Sequence, residues 1–224
     1  MSHKLIYILL VVLIAPITLA HNVSESNAAF IEALNGPAII PFMYLGAKHM
    51  VTGYDHLLYL VGVIFFLTST RDVVLFVTLF TMGHSITLLS GVLGGIMVNT
   101  WLIDAIIGLS IVYKAFENQG GFQKLTFMPS PKVAVLIFGL CHGLGLATKL
   151  QDFALSEDGL VTNIVSFNVG VEIGQVLALS VLLLLLYQWR RSQHFQQHAF
   201  FANGLLMTAG FTLAGYHLTG FWIG

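Results

Sequence analysis

Six apolar runs, near residues 48–68, 73–97, 100–117, 132–150, 161–188 and 199–221, succeed one another along the chain with only short polar breaks between them. Each approaches the about 20 helical residues that cross a hydrocarbon core of about 30 Å. In that core a backbone must satisfy every N–H and C=O internally, which leaves helices and closed barrels. The expected fold is therefore all-α: a polytopic membrane protein whose six-helix bundle occupies residues 48–221 as one domain. Composition agrees, because 57% of the 224 residues are hydrophobic and only 8% are charged, against roughly a quarter in a soluble domain. The expected partners are the lipid bilayer and a small cation; a formal net charge of −1 supplies no basic field for nucleic acid. Self-association into a homo-oligomer stays open. The lone cysteine, Cys141, has no second thiol for a disulfide or a thiolate metal site.

The first twenty residues have the pattern of a cleavable signal peptide. Lys4 provides a basic start, Leu5 to Leu19 a short apolar stretch, and Ala20 a small residue before polar His21-Asn22. An uncleaved helix is the alternative, which Pro16 and the short span disfavour. Cleavage would make His21 the N-terminus, where its amine and imidazole together can chelate a metal. Residues 21–47 then form a periplasmic segment with a short interfacial or re-entrant piece, Ala38–Ala47, broken by Pro37 and Pro41. With both mature termini periplasmic, Arg71, Lys114, Lys124, Lys132, Arg190 and Arg191 fall in or beside cytoplasmic loops, and only Lys48 and Lys149 flank the outer side. This pattern assigns the chain to a bacterial cytoplasmic (inner) membrane.

Ionisable side chains inside a membrane are costly, about 2.5–3.5 kcal/mol each on insertion scales, and are usually functional. This sequence places His49, Asp55, His56, His84, Asp104, His142 and Glu172 within its apolar runs, and His217 near the end of the last. His49 and His56 are two helical turns apart and should share a face, with Asp55 beside it. Asn168, Glu172 and Gln175 form one polar stripe expected to face the bundle interior, and Gly139, Gly143, Gly170 and Gly174 bracket the polar positions with the small-xxx-small spacing of close helix packing. Imidazole with carboxylate is a ligand mixture for Ni, Zn, Cu(II) or Co. The expected metal set is His49, Asp55, His56, His84, Asp104, His142 and Glu172, with Ser85, Asn168, Gln175 and His217 orienting it. Any one of these residues can equally serve as an interhelical hydrogen bond. The same inventory also suits a zinc-activated water for hydrolysis, or a proton relay. Phosphate loops, dinucleotide fingerprints and His-Glu-x-x-His helices are absent from the sequence.

The stretch His49-Met-Val-Thr-Gly-Tyr-Asp55-His56 resembles the His-x5-Asp-His signature of the HupE/UreJ membrane proteins. Four more blocks are similar to that family: Phe80-Thr-Met-Gly-His84-Ser-Ile-Thr-Leu, Asp104-Ala-Ile-Ile-Gly-Leu-Ser110, Gly139-Leu-Cys-His142-Gly-Leu-Gly-Leu-Ala147 and Phe167-Asn-Val-Gly-Val-Glu172-Ile-Gly-Gln175. The resemblance implies a hydrogenase or urease accessory protein, several of whose relatives are regarded as nickel permeases. It thus implies secondary transport of a metal cation through His49, Asp55 and His56. The permeases' fourth-helix motif, Phe-His-Gly-x-x-His-Gly-x-Glu, survives here only as His142-Gly143, with Glu172 a candidate for the missing carboxylate. The expected function is a permease for a divalent transition metal, with an intramembrane zinc hydrolase and a structural accessory subunit as alternatives.

Overall fold

The structure, a computed structural model, describes residues 36–124, 130–152 and 156–223. The signal peptide expected over residues 1–20, His21 and the rest of the chain up to residue 35 lie outside the described residues. Within them the protein is all-helical, with seven α-helices: α1 Ile39–Thr52, α2 Tyr54–Ile64, α3 Thr70–Leu93, α4 Thr100–Asn118, α5 Pro131–Gln151, α6 Leu160–Arg190 and α7 Phe195–Ile223. Three of them, α3, α5 and α6, are long and apolar enough to cross a membrane, and α2 is a shorter apolar helix.

Local chemistry sets the helix ends. Pro131 opens α5 at a position whose N–H would have no partner in any case, and the Asn99 side chain accepts the Leu102 N–H at the start of α4 (3.1 Å). At the end of α3, Gly95 takes φ +63° and lets Ile96 N–H return to the Gly91 carbonyl (2.9 Å), a Schellman closure that needs a left-handed residue. Asn163 ties the start of α6 to the start of α1, accepting from Ala38 N–H (2.7 Å) and donating to the Gly36 carbonyl (3.1 Å). That junction, together with the Val98 to Thr148 and Gln151 to Ile96 bonds, defines the upper end of the bundle. At the lower end, the Arg190 guanidinium donates to the carbonyls of Ile64 and Phe65, and Asn118 donates to Gly62 and to Asn203.

Glycine fixes how the helices pair. A Cβ on Gly46 would overlap the Phe167 carbonyl, and one on Gly170 the Met43 carbonyl, so α1 and α6 lie backbone against backbone. Gly139 meets Phe80, and Gly143 meets His84, between α5 and α3; Gly108 and Gly210 do the same for α4 and α7. Without a hydrophobic force between helices in lipid, such close approach is what gives packing energy. The small-xxx-small spacing at 139/143 and at 170/174 thus serves the pairing expected from it.

Two expectations about the first helical region need correction. The piece Ala38–Ala47 is not broken at Pro41: residues 39–47 belong to α1, which packs along α6, and Pro41 sits in its first turn, where no helical N–H is lost. The run at 48–68 is likewise not one helix. It breaks at Gly53, which is extended (ψ 96°), and its regular part ends at Ile64. A Cβ at position 53 would lie 2.9 Å from both the His49 backbone carbonyl and His56 Nδ1, so the absent side chain leaves room for the His56 ring.

Candidate functional site

His56, at the start of α2, is the hub of a buried imidazole cluster. Its ring centroid lies 5.0 Å from that of His49 (α1), 6.2 Å from His84 (α3) and 4.8 Å from His142 (α5). His56, His84 and His142 are 3%, 1% and 1% exposed, and His49 is half-buried. The two-turn spacing of His49 and His56 does bring their rings together, but across the Gly53 break rather than along one continuous face. His84 and His142 come from the glycine-locked pair α3/α5, each about 14 Å below the upper end of its helix at 1.5 Å per residue. The glycine contacts therefore hold the imidazoles as well as the backbones.

Asp55 Oδ1 lies 3.0 Å from His56 Nδ1. A carboxylate there accepts the Nδ1–H and leaves the lone pair on Nε2. The Nε2 atoms of His49 and His56, and both ring nitrogens of His84 and of His142, are buried without a hydrogen-bond partner among the described residues. Asn168, which accepts from the Ser85 hydroxyl (3.2 Å), stands beside His84. Buried polar atoms are ordinarily paired, and each one left unpaired costs about 1–3 kcal/mol. A concentration of unpaired nitrogens around one hub is thus unusual. Below it, Tyr59 and Phe80 close the floor, with ring centroids 5.6 and 5.0 Å from His142, and Phe138 packs against Tyr59 at 5.7 Å.

Two carboxylates expected in the metal set stand apart from it. Asp104 is paired in bidentate fashion with Lys149 Nζ (2.9 and 2.8 Å), and His217 Nδ1 is 3.9 Å from the same carboxylate. His217 therefore belongs with Asp104, while Asp104 itself is within electrostatic reach of His142. Glu172 is exposed, on the wall of an open groove of about 370 Å³ between α3 and α6 that also contains Thr81, Ser85 and Gln175. The reason is geometric: Gly170 and Gly174 face α1, and two residues along a helix is a rotation of about 200°. Asn168 and Gln175 do face inward, and Gln175 Oε1 accepts from the Thr81 hydroxyl (2.8 Å). Sequence reasoning missed Gly53 and treated Lys149 only as a flanking charge. Its spacing of two turns from His142 was the available signal. Among the described residues no group of three His, Cys, Asp or Glu side chains is drawn in to ligating distance.

A helical membrane protein with histidines gathered in its core is the class that these features define. The chain matches the family model described as HupE / UreJ protein over residues 25–224, and it belongs to that family. No curated protein and no solved structure matches the chain.

Proposed function

We propose that this protein is a permease for a divalent transition-metal cation such as nickel, cobalt, zinc or copper, received by His49, His56, His84 and His142. Asp55 orients His56 and offsets part of the ion's charge. The observation that carries this reading is the set of unpaired ring nitrogens around His56. Imidazoles sharing one ion at an N–metal distance of about 2.0–2.1 Å have ring centroids roughly 5 to 6 Å apart. The spacings of 4.8 to 6.2 Å from His56 to the other three rings lie close to that. Imidazole is a ligand for each of these metals and leaves their identity to geometry and supply.

In the same reading the chain crosses the cytoplasmic membrane six times after a cleaved signal peptide, with the upper end periplasmic. Residues 39–64 count as one crossing, bent at Gly53 and about 39 Å long at 1.5 Å per residue; α3 to α7 supply the other five. The lower end carries Arg71, Lys132, Arg190 and Arg191, as expected of a cytoplasmic face. The membrane potential then drives inward movement, by about 2.3 kcal/mol per charge per 100 mV and twice that for a divalent ion. Tyr59, Phe80 and Phe138 form the inner barrier that must open for release. Proteoliposomes containing wild-type protein should accumulate Ni²⁺ or Co²⁺ under an inside-negative potential, and His56→Ala should not. Equal uptake by the two would reject the reading.

A further inference from the structure

The ion pair between Asp104 and Lys149 is set above the imidazole cluster in a way that a merely structural bridge does not require. Lys149 projects from α5 two turns above His142 on the same face, and its charge reaches both His49 and Asp55. Its ammonium takes both oxygens of Asp104, at 2.9 and 2.8 Å, and the His217 ring, packed on Trp101 and 2% exposed, pairs with the same carboxylate at 3.9 Å. The two partners differ in exposure: the Asp104 side chain is 7% exposed and that of Lys149 32%. The carboxylate is therefore fixed, whereas the lysine stem reaches it from the wetter side and has the length to swing back. Buried ion pairs are commonly replaceable by apolar residues without loss of stability, so stability alone gives little reason for one here.

We propose that Asp104 and His217 form an upper cation site over the imidazole cluster, kept closed by the tethered ammonium of Lys149, which an arriving divalent metal ion displaces. This rests on the permease reading. Carboxylate oxygen with imidazole nitrogen is a donor pair for the same metals that suit the cluster below. Lys149 acts as an internal competitor: the apparent affinity of the site is its intrinsic affinity reduced by the fraction of time the lysine is away. A monovalent cation offers the carboxylate no more charge than the ammonium does, so the device selects for divalent ions.

The test uses the full-length protein with Ni²⁺ alone as probe, reading affinity by calorimetry in detergent and initial uptake rate in proteoliposomes. Lys149→Met removes the competitor and should tighten Ni²⁺ binding by about ten-fold or more. Lys149→Arg keeps the pair and strengthens it with a bidentate guanidinium; it should fold as the wild type does and slow uptake by about ten-fold. Should Lys149→Met not fold, Lys149→Arg decides alone. Binding no tighter in a folded Lys149→Met protein, or wild-type uptake by Lys149→Arg, overturns the gate. His56→Ala, run alongside, separates the two ideas. If it transports like wild type, the permease reading falls and takes the gate with it; if it is inactive while Lys149→Arg is unchanged, only the gate falls.

Discussion

The rings of His56 and His142 stand edge to face, 4.8 Å between centroids and 88° between planes, and neither ring nitrogen of His142 has a hydrogen-bond partner among the described residues. Two imidazoles held so closely, with nitrogens unpaired by the protein, carry an unfavourable desolvation that a bound ligand relieves. His142→Leu should therefore stabilise the metal-free protein, on the order of 1 kcal/mol, by removing two orphaned nitrogens. The same change should weaken metal binding by at least about ten-fold, the equivalent of 1.4 kcal/mol. Thermal unfolding in detergent with and without Ni²⁺ checks both halves. A less stable variant that still gains wild-type protection from Ni²⁺ would contradict them.

Asp55 acts through His56, to which it is bonded at 3.0 Å. Removing such an outer partner typically reduces metal affinity about 10–100-fold. Asp55→Ala should fall in that range. Asp55→Asn, which keeps a carbonyl to accept the Nδ1–H but not the charge, should lie between it and wild type in a calorimetric titration. Equal losses in both would assign Asp55 a charge role only.

The cluster depends on backbone contact between α3 and α5. A Cβ at Gly143 would press on the His84 carbonyl and the Thr87 hydroxyl, the latter bonded to the Leu140 carbonyl at 2.7 Å. Gly143→Ala should destabilise the protein by about 1–3 kcal/mol, the usual penalty of overpacking, and displace His84 from His56. Gly215→Ala, where a Cβ meets open space, is the control and should change the unfolding temperature little.

Glu172, although it matches the polar stripe of the sequence, faces the α3/α6 groove rather than the imidazoles. Glu172→Gln should leave equilibrium metal affinity within about two-fold of wild type, as exposed substitutions usually change energies by less than about 0.5 kcal/mol. A larger loss would place this carboxylate among the ligands.

Much of this architecture was legible in the residues. Hydropathy located the helices because a membrane solvent leaves the backbone few alternatives, and the glycine spacings at 139/143 and 170/174 marked real helix contacts. His49, Asp55, His56, His84 and His142 were recognised by residue type, and they do meet. What the sequence did not reveal was rotation and depth. Asp104 and Glu172 looked equivalent to the histidines, yet one is committed to Lys149 and the other is turned to a groove by the glycines that bind α6 to α1. Nor does a lone glycine in an apolar run announce a break, yet Gly53 is extended and separates α1 from α2. Pro41 misled in the opposite sense, since a proline in a first turn begins helices as readily as it interrupts them.

Metal content shows whether the imidazoles around His56 hold a metal ion. Wild-type protein and His56→Ala should be purified in parallel, incubated with Ni²⁺, Co²⁺ or Zn²⁺, freed of excess ion and measured by elemental mass spectrometry. The wild type should retain tightly held metal and the variant should lose it, with both proteins still folded. Equal metal in the two, or none in either, would contradict it.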